Sequence, residues 1–439
     1  MANKLDDVEL LGCQEQYEKI DKYLLASQLK YVMEKSPFYS EKFKKAGISN
    51  LPSIDTFGDL PFTTKSEILN EQMANPPYGR LATGNDTRSL RRVHVTSGST
   101  GKPLFIILSE KDVAETVEAG GRAFRCAGLK PDDTIIHCLN YCLWAGGLTD
   151  HLNLEATGAA VIPFGVGNTV NLIRTIRDLR PTAISCTPSY LSRLEYVLEK
   201  EFNMKPAELG LKKAFLGGEG GVQDVKVRSK IETTWNMRAI DANYGMADVL
   251  SIFGAECDAR EGLHFHGQGI LHFELINTEK KAKLPLEDGQ TGEMILTHLN
   301  REAQPLVRYR TGDIVRIVST KKCKCGRSSF KFLVIGRADD MIVVRGINVF
   351  PSAVGNLLNA RADWFSGEYQ IVFDTPPPYE RPLLRIELSS EYLTPDTTML
   401  KKYIIDKCHS DLNFTPRIEF LSFGEFPRSE GKTRRVIKI

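Results

Sequence analysis

Thr182-Ala-Ile-Ser-Cys186, an amphipathic run from Tyr190 to Lys200, and then Ala214-Phe-Leu-Gly-Gly218 decide the fold of this chain. Each short apolar run ends in small residues, as a buried strand does where it passes into a loop. The run between them repeats its apolar residues at helical spacing. The same alternation extends upstream, where Ile135-Ile-His-Cys-Leu139 and Ala159-Ala-Val-Ile-Pro163 read as strands and Val170 to Leu179 as a helix. Strands alternating with helices predict a parallel sheet covered on its faces, with ligands at the carboxyl ends of the strands. Further out, residues 5–45 read as helix, with Leu24, Leu25, Leu29, Val32 and Met33 at helical spacing and Pro37 and Gly47 as punctuation. From Ile270 to Val318 shorter strands bounded by Asp-Gly and Thr-Gly turns predict an antiparallel subdomain. A turn-rich break, Gly336-Arg-Ala-Asp-Asp340, precedes a last region of mixed character. The expected class is α/β, with mixed and parallel sheets flanked by helices in a large N-terminal domain, residues 1–338. A small α+β C-terminal domain, residues 339–439, completes it.

With 439 residues, 42% hydrophobic and 26% charged, the chain has the balance of a globular protein, which excludes a disordered, collagenous or disulfide-scaffold protein. A net charge of +2 supplies no field toward nucleic acid or membrane, and neither is an expected partner. No apolar run approaches the roughly 18 residues of a membrane span. The first residues are too polar and acidic for a signal peptide. Nine cysteines, an odd and scattered number, fit reduced thiols in a cytoplasmic protein.

Val95-Thr-Ser-Gly-Ser-Thr-Gly-Lys-Pro103 is the segment richest in chemistry. Ser97, Ser99 and Thr100 offer hydroxyls, Gly98 and Gly101 let backbone N–H groups turn toward an anion, and Lys102 adds charge. It is not a Walker A loop, since Pro103 stands where Ser or Thr should follow the lysine. A phosphate cradle and a polar surface turn are equally good readings of it. Cys257, His264, Cys323 and Cys325 form a second constellation, because thiolate and imidazole are the preferred zinc ligands and these residues would fill a tetrahedral shell. His266 would share a strand face with His264 and rivals it as fourth ligand; reduced thiols beside a surface histidine are the alternative. Cys126, Cys138, Cys142 and Cys186 read as small core residues in or near apolar strands. Thr96-Ser-Gly lacks the Gly-x-Ser-x-Gly elbow of a hydrolase.

Further motifs follow in order: Gly217-Gly-Glu-Gly-Gly221, Tyr244-Gly-Met-Ala-Asp248, Tyr309-Arg-Thr-Gly-Asp313, Gly336-Arg-Ala-Asp-Asp340 and Gly431-Lys432. Together with the 95–103 loop they resemble the adenylate-forming superfamily of acyl-CoA synthetases and adenylation domains. Asn168-Thr, Cys186-Thr-Pro-Ser-Tyr190, Arg345-Gly-Ile-Asn-Val-Phe-Pro351 and Pro427-Arg-Ser-Glu-Gly-Lys432 are similar to the phenylacetate-CoA ligase family within it.

The resemblance implies an ATP site. Ser97 to Lys102 would hold the β- and γ-phosphates, Tyr244 would stack on adenine with Gly245 behind it, and Gly217, Gly218 and Glu219 would bring backbone beside the base. Asp313, an acceptor-only carboxylate, would take both ribose hydroxyls, and Arg337 would lie near the ribose and α-phosphate. Singly, each of these residues also reads as core filler, a turn residue or a surface ion pair. Lys432 matches the catalytic lysine, Asp339 the hinge, and the family's Cys/His set supports structural zinc. The chain departs from the family at Ala247 and Asp248, where Ser or Thr and then Glu are usual. Aspartate can still hold Mg²⁺, which needs only one or two carboxylates besides phosphate. Asn140-Tyr-Cys-Leu-Trp-Ala-Gly-Gly147 matches the family's acid-binding segment, so Tyr141, Trp144, Gly146, Gly147 and Gly217 would line the acid pocket. Trp144, larger than the usual Phe, would shrink it toward small aryl or arylacetic acids.

The implied activity is AMP-forming ligation of a small carboxylic acid to coenzyme A, with ATP and Mg²⁺ as cofactors and structural Zn²⁺. Alternatives at this point are acyl transfer to a carrier protein or amine, adenylylation of a cofactor hydroxyl, or a non-catalytic zinc-stabilised nucleotide-binding protein. Oligomeric state is open, a homodimer included.

Overall fold

A residue before proline is kept out of the helical region by the proline ring, and Ser36 obeys with φ −112° and ψ 103°. The N-terminal helical stretch accordingly breaks at the punctuating Pro37: α1 (Cys13–Gln16) runs on through a π-helical turn at Tyr17–Asp21 into α2 (Lys22–Lys35), and α3 (Pro37–Lys45) starts afresh. The computed structural model describes residues 5–48, 54, 56–82, 90–96, 103–338, 342–344, 347–349, 351–374, 381–390, 396–426 and 435–438. The buried face of α2, Leu25, Leu29 and Val32, packs far along the chain, and Gln28 Nε2 donates to Arg301 O at 2.8 Å. Tyr31 Oη donates to Glu302 O at 3.0 Å. Helix α4 (Lys65–Ala74) starts on a capping box made by Thr64 and Glu67.

The ribbon β1 (Arg92–Val95) and β2 (Phe105–Leu108) brackets the 97–102 loop, which lies outside the described residues. After α5 (Glu110–Cys126) the expected alternation appears. It runs β3 (Thr134–His137), α6 (Ala145–Glu155), β4 (Ala160–Pro163), α7 (Thr169–Leu179), β5 (Ala183–Cys186), α8 (Pro188–Val197), β6 (Lys213–Gly217), α9 (Val225–Trp235) and β7 (Arg238–Met246). These strands pair in parallel in the order β4-β3-β5-β6-β7. The direction in which strands are added reverses after β4, which leaves a crevice at the carboxyl ends of β3 and β5.

Antiparallel strands follow: β8 (Leu250–Glu256), β9 (Leu263–Phe265), β10 (Leu271–Ile276), β11 (Lys283–Leu284), β12 (Thr291–His298), β13 (Tyr309–Ser319) and β14 (Lys331–Arg337). They are the expected antiparallel part of the domain. They continue one twelve-stranded sheet, β11-β10-β12-β13-β14-β9-β8-β7-β6-β5-β3-β4. The reason is the length of β7: its residues 238–243 pair in parallel with β6, and Tyr244 and Met246 pair antiparallel with β8. The site is built where the strand changes partner.

The last region holds a hairpin of β15 (Ile342–Val344) and β16 (Ile347–Val349), α10 (Pro351–Asn359), β17 (Phe365–Phe373), β18 (Leu383–Leu388), α11 (Thr397–Leu412), β19 (Arg417–Leu421) and β20 (Val436–Lys438). Its four-stranded sheet, β19-β18-β17-β20, closes over a core that includes Val354, Leu358, Ile371, Ile386 and Ile404, the expected α+β character. Among the described residues no helix is long and apolar enough to cross a membrane. Two cysteines differ from expectation: Cys126 ends a helix rather than a strand, and Cys142 is exposed in a loop.

Candidate active site and metal centre

On one side of β7 stands a saturated polar cluster. Tyr244 Oη donates to Asp313 Oδ2 at 2.6 Å, and Arg337 Nη1 donates to Asp313 Oδ1 at 2.7 Å. Asp313 and Arg337 face each other because β13 and β14 pair in that register. The Tyr244 ring is set edge-on against Phe253 and Phe332, with centroids 5.2 and 5.3 Å away. Burial and the neighbouring Asp313 carboxylate push its phenol well above the usual range. Asp248 follows the end of β7 and is buried; its Oδ2 accepts from Tyr309 Oη and lies 3.7 Å from Lys65 Nζ. Glu219 is held against the first turn of α8: its Oε1 accepts from Ser189 Oγ at 3.0 Å and its Oε2 from Ser189 N at 3.3 Å. Burial raises its carboxyl pKa.

On the other side lies the 140–147 segment. Leu143 adopts a left-handed φ of 64°, a conformation that is uncommon for a residue with a branched side chain. Its carbonyl accepts from Val95 N at 3.0 Å, which ties the segment to the strand leading into the 97–102 loop. Trp144 is 40% exposed, so it is no core residue; Leu143 and Leu148 are exposed beside it. His137, fully buried at the end of β3, donates from Nε2 to the carbonyls of Gly146 and Gly147 at 3.0 and 3.1 Å, and its Nδ1 accepts from Ser185 Oγ at 3.2 Å. Burial lowers its pKa to about 4, so it serves as a neutral brace. Tyr141 sits edge-on to His137 and shares a hydrogen bond with His151.

The glycines here mark close contacts. A Cβ on Gly147 would lie 2.3 Å from Asn140 O, one on Gly217 2.3 Å from Asn243 Cβ, and one on Gly245 2.1 Å from Ser251 O. The 140–147 segment thus folds tightly on itself, and β7 lies close against β6 at Gly217 and against β8 at Gly245.

A third cluster gathers at β9 and the 323–327 turn. The ligand atoms of Cys257, His264, Cys323 and Cys325 all lie within 4.8 Å of one another. The Sγ atoms of Cys257 and Cys323 are 3.7 Å apart, and Cys325 Sγ is 3.5 Å from His264 Nε2. A tetrahedral ion with bonds of about 2.3 Å to sulfur and 2.0–2.1 Å to nitrogen demands edges of about 3.8 Å and 3.6 Å. These two edges match such an ion, and the four atoms are close enough together to share one. His264 Nδ1 is hydrogen-bonded to Ser329 Oγ at 3.1 Å, which orients Nε2 inward. His266 is not part of the cluster; it is buried with both ring nitrogens lacking a hydrogen bond and its Nδ1 3.8 Å from Glu9.

A family described as AMP-binding enzyme matches residues 18–299, and one described as AMP-binding enzyme C-terminal domain matches residues 346–438. A phenylacetate-coenzyme A ligase of Thermus thermophilus is 30% identical over 93% of this chain and 93% of its own. The chain belongs to the AMP-binding enzymes of the phenylacetate-CoA ligase family. It is accordingly an adenylate-forming, AMP-producing acyl-CoA ligase. A solved 2-hydroxyisobutyryl-CoA ligase in the postadenylation state with 2-HIB-AMP superposes with a TM-score of 0.88 at 25% identity, covering 100% of this chain and 94% of that one. The same ligase in the thioesterification state, with 2-HIB-AMP and CoA, gives 0.70 at 26% identity over the same shares.

Against the family reading, the structure gathers Tyr244, Gly245, Asp248, Asp313 and Arg337 at one end of β7 and β13, and Tyr141, Trp144, Gly146, Gly147 and Gly217 around the 140–147 segment. Ser97, Gly98, Ser99, Thr100, Gly101, Lys102, Asp339 and Lys432 lie outside the described residues. Sequence reasoning passed over Lys65 and Tyr309, which flank Asp248, and Asp150 and Asn243. Lys65 carries no signal beyond following a helix cap. Asp150 does carry one: it stands three and four residues after Gly147 and Gly146, on the same helical face.

Proposed function

We propose that this ligase activates a small aryl or arylacetic acid and transfers it to CoA. In the first half-reaction a carboxylate oxygen of the acid attacks the α-phosphorus of ATP, and pyrophosphate leaves. In the second, the CoA thiol sulfur attacks the acyl carbonyl, AMP leaves, and the thiol proton is released. The observation that carries the reading is the convergence, on the partner-switching end of β7, of an acceptor carboxylate, a guanidinium, an aromatic ring and a buried aspartate. Asp313 is placed to accept from ribose hydroxyls, with Arg337 beside it as a fixed cation for the α-phosphate. Lys432, on the segment before β20, would contact both anions of the first step, and rotation about Asp339 would withdraw it for the second. The two TM-scores against one relative in two catalytic states support such a rearrangement.

Asp248 suits Mg²⁺: its Oδ2 is engaged, and its Oδ1 makes no hydrogen bond among the described residues, leaving the single carboxylate oxygen such an ion needs. A bound Mg²⁺ would offset phosphate charge. Cys257, His264, Cys323 and Cys325 would hold zinc in a closed shell with a structural role only. Elemental analysis of protein purified without chelator should find about one zinc per chain, lost in Cys323→Ser and retained in His266→Ala. On the acid side, exposed Trp144 and half-buried Tyr141 offer flat walls for a small ring, and the bulk of Trp144 works against a long chain. The deciding experiment is pyrophosphate release over a panel of carboxylic acids, followed by AMP release on adding CoA. Small aryl and arylacetic acids should turn over and palmitate should not. AMP release independent of CoA would defeat the acceptor assignment.

A further inference from the structure

A buried carboxylate sits beneath the acid segment without enough partners. Asp150, on α6, is 1% exposed, and its Oδ2 accepts from Asn243 Nδ2 at 2.8 Å. Its Oδ1 is buried and has no hydrogen-bond partner among the described residues. Ser251 Oγ is bonded to Asn153: with the Asn153 amide turned so that it donates to the carbonyls of Thr149 and Thr116 at 3.0 and 3.3 Å, its oxygen accepts from Ser251 Oγ at 3.2 Å. A buried acceptor left unpaired is destabilising, which makes such an atom rare in a folded core.

Its surroundings place it at the acid site. A Cβ on Gly146 would lie 3.6 Å from Asp150 Oδ2, and Asn243 is the residue whose Cβ excludes a side chain from Gly217. Asp150 and Asn243 thus bridge the two glycine segments assigned to the pocket. Thr149 and Ser251 line a small cavity alongside, together with Ala145 and Ala247. Nothing cationic is hydrogen-bonded to Asp150, and its amide partner holds only one of its two oxygens. Burial, opposed by the Asn243 amide and the nearby Ser251 hydroxyl, raises its carboxyl pKa to about 7.

We infer that Asp150, positioned by Asn243, selects the substrate: its free Oδ1 accepts a hydrogen bond from a hydroxyl or amino group carried by the acid. This rests on the acid-activation reading above and narrows it to small acids bearing a donor. A site built to accept from a substrate OH or NH rejects the analogue lacking it strongly, because the buried group is then left unpaired.

The test is pyrophosphate release with matched pairs in which a methyl group replaces the hydroxyl. The probes are 2-hydroxyisobutyrate against pivalate, and ortho-, meta- and para-hydroxyphenylacetate each against the corresponding methylphenylacetate. For at least one pair the hydroxyl acid should show a kcat/KM about 10²-fold higher or more. Asp150→Asn, isosteric but with its one carbonyl oxygen held by Asn243, presents an amide donor in place of Oδ1 and should cut that ratio to within about tenfold, and Asp150→Leu should invert it, with the KM for ATP unmoved in both. Equal use of both members of every pair by the wild type would overturn the inference. So would a ratio untouched by Asp150→Asn, which keeps the test alive should Asp150→Leu fail to fold. Pyrophosphate release with none of the acids would instead defeat the acid-activation reading itself.

Discussion

Asp313 and Asp150 are buried carboxylates on opposite sides of β7, and the protein treats them differently. Asp313 has both oxygens engaged by its own chain, one by Tyr244 and one by Arg337. Asp150 has one oxygen held and one unpartnered. The side proposed for the nucleotide carries groups fixed in advance, which suits a partner that never changes, since preorganised dipoles need no reorganisation when charge develops. The side proposed for the acid leaves an acceptor and an aromatic face available. In this proposed scheme chemistry is built into one side of the strand and choice into the other.

That division can be broken most severely at Lys432. Lys432→Ala should lower acyl-adenylate formation about 10³-fold, within the range seen when one preorganised donor is removed, and should do so equally for every acid. Thioesterification of supplied acyl-adenylate should stay within a few-fold of wild type; equal loss in both half-reactions would merge the two roles and sink the scheme of rotation about Asp339.

A smaller effect should appear in stability. Because burial lifts the Asp150 carboxyl to about 7 from an ordinary value of 3.8, the native state binds the proton more tightly than the unfolded chain. Its contribution is therefore most favourable below about pH 4 and is lost as pH rises through 7. Asp150→Asn removes that dependence, so the stability difference between variant and wild type, measured by denaturant unfolding, should grow in favour of the variant from pH 5 to pH 8, by an amount on the order of 2 kcal/mol. A constant difference would mean that Asp150 is already ionised in the native protein. The mildest change is Trp144→Phe, which should broaden acceptance toward bulkier acids by a few-fold and leave the KM for ATP alone, measured in the same pyrophosphate assay. A shift in ATP affinity would show that the two sides are coupled.

Much of this was readable from residues alone. The βα alternation of 134–246 was legible because buried parallel strands such as Ala183–Cys186 are short apolar runs flanked by amphipathic helices. The gathering of Cys257, His264, Cys323 and Cys325 was legible because thiols and imidazoles in a turn have few other uses. The continuity of the sheet was not, because strand periodicity does not say which edge of β7 pairs with which neighbour. Asp150 and Lys65 escaped for a related reason: their meaning comes from what stands opposite them, Asn243 and Asp248, 93 and 183 positions away in sequence numbering.

The docking of α2 onto residues 301 and 302 has a consequence for synthesis. The apolar stripe of Leu25, Leu29 and Val32 finds its seat only after a segment some 270 positions later has been made, as the Gln28 and Tyr31 bonds record. At about 5–20 residues per second, that is roughly 15–50 seconds during which the first helices are present without their partner. The parallel half can condense meanwhile from contacts between neighbouring βα units. The N-terminal helices must wait, so in the nascent chain their apolar stripe stays open to a chaperone, although in the finished protein Leu25, Leu29 and Val32 are fully buried.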